Sequence, residues 1–136
     1  MENCLCDLYY KAISLFENGN FEESIKLSLE LKDRLYETNK NDSNLDYESI
    51  LILIGFNNLF LDKLIESKMF FEKVLTLNPF SPEGAVGLSI CLKKLGYQKN
   101  SKLWIQWLKE NDNLNVALNS FYLKKWVQEN EFEFDS

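Results

Sequence analysis

The sequence predicts an all-α fold built of consecutive helix hairpins, and three observations carry that prediction. Apolar residues recur at steps of three and four through most of the 136 residues, the period of helices with one buried stripe. Helix breakers are few, since two prolines and five glycines punctuate the chain at a small number of points, which favours long helices over short strands. A repeat of 34 residues is also visible: Gly55 is matched by Ser89, and Ser67 by Ser101. An apolar content of 46% with 14% aromatic residues argues for a single folded domain and against disorder.

The first helix is expected over residues 3–18, where Leu5, Leu8, Tyr9, Ala12, Ile13 and Phe16 form a wide apolar stripe. Gly19 and Asn20 tolerate positive φ and end it. Phe21 to Tyr36 resumes the period as a second helix. Residues 37–45, ETNKNDSNL, read as the one longish loop. A third helix, about Asp46 to Leu61, is apolar nearly all round, so it is either central in the core or facing a partner. A fourth runs from about Leu64 to Leu77. Pro79 cannot continue that helix and pushes Asn78 out of helical geometry. Ser81 is a good N-cap, Pro82 suits the first helical position and Glu83 complements the positive helix end. A fifth helix therefore covers 82–95, ended by Gly96, and a sixth covers 98–110 with Trp104, Ile105, Trp107 and Leu108. Asn113 caps a seventh, from about Leu114 to Gln128.

The hairpins align with one another. Residues 62–67, DKLIES, match 96–101, GYQKNS, and also 19–24, GNFEES. Ser24 precedes Ser67 by 43 residues rather than 34, so the 37–45 loop acts as a nine-residue insertion. This pattern resembles the tetratricopeptide repeat family. Small residues stand where the paired helices must approach closely: Ala12, Gly55 and Ser89 on the first helices, Ser24, Ser67 and Ser101 on the second. Phe71 and Ile105 match the family's aromatic or aliphatic position, and Pro79 matches its closing proline. The departures are Ser28 in place of an aromatic, the bulky Leu31, Val74 and Leu108 at a position usually small, and Tyr36 and Asn113 in place of proline. The resemblance covers roughly residues 5–113 and implies a right-handed α-α superhelix of three hairpins, about seven helices in all. The units would span about 5–38, 48–81 and 82–113, followed by a capping helix at about 114–129 and an acidic tail at 130–136. Phe121, Tyr122, Trp126 and Val127 of the cap would cover the end of the core.

What the resemblance implies for function is protein binding. The first helix of each unit would line a concave groove, built here from Tyr9, Ile13, Phe16, Ile52, Phe56, Leu59, Phe60, Val86, Ile90, Lys93 and Lys94. A helix or extended peptide with spaced apolar anchors could lie there. The same residues would be core if the short stack curls, or covered if the last helix or the tail fills the groove. Family members that clamp acidic chaperone C-termini need basic and amide residues where this chain has Tyr9, Ile13, Leu53, Glu83 and Gly87, so a carboxylate clamp does not fit. The expected role is a non-catalytic interaction module or adaptor. The alternatives are a small chaperone of a bacterial secretion system, which the apolar groove, size and acidity resemble, or a subunit of a larger assembly.

Composition narrows the classes further. The net charge of −6 does not suit phosphate binding, so no nucleic-acid partner is expected. Charge is uneven: residues 80–110 carry Lys93, Lys94, Lys99, Lys102 and Lys109 against only Glu83 and Glu110, as a solvated helix face or a site for an acidic peptide. There is no histidine, hence no ready general base, and no glycine-rich phosphate loop. Cys4 and Cys6 lack the further ligands of a zinc site, and Cys91 reads as a small core residue, so neither metal nor cofactor is expected. The N-terminus does not read as a signal peptide, and no apolar run approaches the ~20 residues that span a bilayer. The expected location is cytoplasmic. The tail alternates Phe132 and Phe134 with acids and could dock in a groove, its own or a neighbour's, which would make a homodimer.

Overall fold

A computed structural model describes residues 5–37, 41–42 and 45–130. Helix α1 (Leu5–Glu17) pairs with α2 (Phe21–Glu37), α3 (Tyr47–Phe60) with α4 (Leu64–Leu77), and α5 (Pro82–Lys94) with α6 (Gln98–Glu110). Two short helices follow, α7 (Leu114–Leu118) and α8 (Phe121–Asn130). The fold is all-α, a superhelical stack of helix hairpins. First helices lie beside one another, α1 by α3, α3 by α5 and α5 by α7.

Two elements differ from the sequence expectation. The loop after α2 holds a minimal antiparallel ladder, β1 (Asn41–Asp42) against β2 (Leu45–Asp46), and Asp46 then caps α3 by accepting from the Ser49 amide at 2.8 Å. The described residues form eight helices rather than seven, because the expected last helix breaks at Asn119–Ser120. There Ser120 starts α8, its carbonyl accepting from the Lys124 amide at 3.0 Å and its hydroxyl from the Tyr122 amide at 3.3 Å. A side chain that bonds nearby backbone competes with helix continuation and favours a new start.

Four of the interhelix turns, those after α1, α3, α5 and α6, share one geometry. Each places a residue in the left-handed region, Gly19 (φ 83°), Asp62 (φ 61°), Gly96 (φ 96°) and Asp112 (φ 57°). The amide of the next residue reaches back to the last turn of the helix: Asn20 to the Leu15 carbonyl, Lys63 to Asn58, Tyr97 to Leu92 and Asn113 to Leu108, all within 2.8–2.9 Å. This is the closure that lets a helix end satisfy its orphan carbonyls.

The small residues of the repeat make the hairpins close. The Ser24 hydroxyl donates to the Ala12 carbonyl at 2.8 Å, Ser67 to Gly55 at 2.8 Å and Ser101 to Ser89 at 2.8 Å. The same hydroxyl-to-carbonyl bond thus ties each second helix to its first. Cys91 continues one of them, its thiol donating to the Ser67 hydroxyl at 3.1 Å and so linking α5 to α4. Phe71 on α4 is wedged between two glycines. A Cβ on Gly55 would stand 2.8 Å from its ring, and one on Gly87 only 2.4 Å. The core runs through α3, where Ile50 to Leu59 are all buried, and the apolar-all-round helix is therefore the central one.

The last helix does not sit over the end of the stack. It turns back across the face made by α1, α3 and α5, burying Tyr122, Leu123 and Trp126 there while Phe121 and Val127 remain exposed. Its apolar residues are spaced at i, i+1 and i+4, so one stripe meets that face.

Candidate functional site

The groove expected from the sequence exists as a face, but it is not open. Phe16, Ile52, Phe56, Leu59, Val86 and Ile90 are buried, Tyr9, Ile13 and Phe60 are half-buried, and only Lys93 and Lys94 are exposed. The physical reason is α8. Tyr122 stacks on Phe56 with ring centres 4.7 Å apart and 6° between planes, and meets Phe16 edge-on at 5.2 Å. Trp126 meets Phe60 edge-on at 5.2 Å. Phe56 in turn packs against Phe71 at 4.8 Å, so the aromatic contacts run from α8 through α3 into α4. Of the expected groove residues, the structure gathers Tyr9, Phe16, Phe56, Phe60 and Lys94 around α8. Ile52, Leu59, Val86 and Ile90 belong to the core beneath.

Two lysines frame this helix. Lys125 donates to the Glu17 carbonyl at 3.3 Å, at the last residue of α1 where carbonyls lack helical partners. Its ammonium also lies 5.8–5.9 Å from the rings of Phe16, Phe21 and Phe60. From the other side Lys94 lies 5.7 Å from the Trp126 ring and 3.6 Å from the Asp62 carboxylate. Burial raises the Glu83 carboxyl above its usual range, a hydrogen bond from its own backbone opposes this, and Glu48 adds to it. Burial pushes the Tyr122 phenol well above its ordinary value, with Tyr9 and Glu83 acting the same way. Among the described residues the Trp126 Nε1 is buried with no hydrogen-bond partner, and the buried Tyr122 hydroxyl has no partner in good geometry, with the Tyr9 side chain as the polar group that acts on it.

An open apolar groove lies elsewhere, between α4 and α6 with α5 as its floor. Its volume is about 580 Å³, and Leu88, Leu92, Leu103, Trp104 and Trp107 give it apolar walls. Leu103 is 64% exposed, and Phe80, 65% exposed, stacks on Trp107 at 6.2 Å and extends the patch. The two tryptophans meet edge-on at 6.0 Å. The charged groups on its wall, Lys68 and Glu72, are tied to each other at 3.0 Å. Sequence reasoning placed Trp104 and Trp107 on a helix without making them a site. The signal was there: Leu103 beside Trp104 and Trp107 gives α6 a second apolar surface away from Ser101 and Leu108, which face its partner helix.

Among the described residues no three histidine, cysteine, aspartate or glutamate side chains come together as a metal site would need, and no helix is long and apolar enough to cross a membrane. Cys4 and the tail 131–136 lie outside the described residues.

No protein-family model matches this chain, and no curated protein does. Among solved structures, that of Pseudomonas aeruginosa pilF is similar in fold, with a TM-score of 0.60 at 19% sequence identity. The alignment covers 96% of this chain, which spans 63% of the length of that one. The likeness supports the fold, a stack of helix hairpins.

Proposed function

We propose that this chain is a non-catalytic protein–protein interaction module, an adaptor that takes a peptide or helix of a partner on an apolar surface. The observation that carries the reading is the groove between α4 and α6. It is open, its walls are leucine and tryptophan, and its charged pair is already self-satisfied. Aromatic anchors with exposed aliphatic neighbours are what partner surfaces are built from, whereas a catalytic pocket needs converging polar groups with something to transfer. Hairpin stacks of this kind present such surfaces on rigid helices.

The test is a pull-down from native lysate with the tagged full chain beside Leu103→Asp. Leu103 is mostly exposed, so the variant is expected to keep the native helicity and melting point. Loss of a retained protein in the variant supports the groove. Equal retention by both chains sinks it.

A further inference from the structure

The chain already shows what its inner face binds, because α8 is bound there. We propose that α8 is a displaceable occupant of the face made by α1, α3 and α5. The partner it stands in for is an amphipathic helix with two large apolar or aromatic side chains four residues apart and a lysine before the second. The inference deepens the reading of the chain as an interaction module and does not depend on the α4–α6 groove.

Four observations carry it. First, α8 is held by side chains: apart from α7, no helix backbone among the described residues runs closely along it, whereas α1 to α6 are packed backbone against backbone. Second, its seat is imperfect: among the described residues the Trp126 indole N–H is buried without a partner, and the buried Tyr122 hydroxyl has none in good hydrogen-bonding geometry. Each such atom forfeits the hydration it had in water, so a helix with plain apolar groups at these places would fit better. Third, the break at Asn119–Ser120 separates α8 from α7, so α8 can leave while α7 stays beside α5. Fourth, the chemistry of the face is specific. Phe16, Phe56 and Phe60 receive the two aromatic anchors, and the end of α1 with the Glu17 carbonyl receives the lysine that precedes the second anchor. The carbonyl end of α1 favours a helix with a lysine at that place over one with an acid there.

The test uses the full chain and a fluorescent synthetic peptide of residues 119–130 as probe. In native hydrogen exchange, the α8 amides should exchange at least ~100-fold faster than those of α3, as an element that opens on its own does. Trp126→Ala, which weakens the resident helix, should bind the probe at least ~10-fold more tightly than the parent, and a probe with Lys125→Glu should bind less well. Adding excess probe to the parent chain should speed exchange in α8 and leave α3 unchanged. The Leu103→Asp chain should bind the probe like the parent, which separates this site from the other groove. Protection of α8 equal to that of α3 would overturn the proposal, and that reading on the parent chain stands even if Trp126→Ala fails to fold. A concentration-dependent dimer that exchanges α8 between copies would overturn the assignment to a foreign helix.

Discussion

The rings of Phe56 and Tyr122 lie parallel within 6° and 4.7 Å apart, one on the central helix and the other on the last. The contact decides what the inner face can do, because the residue best placed to anchor a partner is already covered. Phe56 is fully buried between Tyr122 and Phe71. Its loss to alanine should cost about 3–5 kcal/mol, as for other buried aromatics. Tyr122→Ala should cost less, since α8 can detach while α3 cannot, and the loss then saturates at the free energy of seating that helix. Tyr122→Phe removes a buried hydroxyl that has no partner in good hydrogen-bonding geometry among the described residues, and should leave the chain unchanged or up to about 2 kcal/mol more stable. Urea unfolding of the three variants checks the order.

Gly87→Ala is expected to destabilise. A Cβ there would stand 2.4 Å from the Phe71 ring, which is fully buried and has no room to retreat. Overpacking of this kind costs roughly 1–3 kcal/mol. Combining it with Phe71→Leu should recover part of the loss, and a double-mutant cycle by chemical denaturation would read a coupling of about 1 kcal/mol or more. Additive losses would mean that the ring and the glycine are not in conflict.

Ser67→Ala should cost about 1 kcal/mol or somewhat more. It removes the bond to the Gly55 carbonyl and leaves the Cys91 thiol without its acceptor. Burial pushes that thiol up to about 11, so at pH 8 it reacts with a thiol reagent only when α5 opens. In a Cys4→Ser, Cys6→Ser background, Ser67→Ala should therefore raise the labelling rate of Cys91 in proportion to the lost stability. An unchanged rate would place the opening that exposes Cys91 outside the α4–α5 contact.

Glu83 gives a pH dependence with a definite sign. Burial raises its folded-state pKa above the ordinary value of 4.5, so the folded chain holds this proton more tightly than the unfolded chain does. Stability from this group therefore falls as pH rises from the ordinary carboxylate range through the raised pKa, and stays lower at neutral pH. Glu83→Gln should be more stable than the parent at pH 7, with the difference vanishing below the ordinary carboxylate range. Thermal melts of both chains across pH 3.5–8 read it, and parallel curves would sink the assignment.

Much of the fold is legible in the sequence. The breaks at Gly19 and Gly96 were readable because glycine marks the left-handed turn, and the small-residue pairs because a hairpin crossing admits nothing larger. The turns at Asp62 and Asp112 share the same geometry without the glycine that would have announced it. The face at Phe16, Phe56 and Phe60 was legible as apolar, but periodicity does not say what covers an apolar face. Tyr122 and Trp126 would satisfy the pattern equally at the end of the stack. What redirects them is the local competition at Ser120, a side-chain bond that a hydrophobic period does not register.

The bond from Lys125 to the Glu17 carbonyl joins residues 108 apart in the chain, whereas each hairpin's own contacts are local. A linear array of repeats transmits stability only from neighbour to neighbour, and its end units fray. The clasp of α8 turns that array into a closed circuit in which the first unit and the third share one element. With the clasp seated, the hairpins should melt as one cooperative unit. With it released, the first hairpin becomes a free end. Folding is likewise not complete until the last helix has been made, because the early α1–α2 hairpin waits for a contact that lies more than a hundred residues downstream.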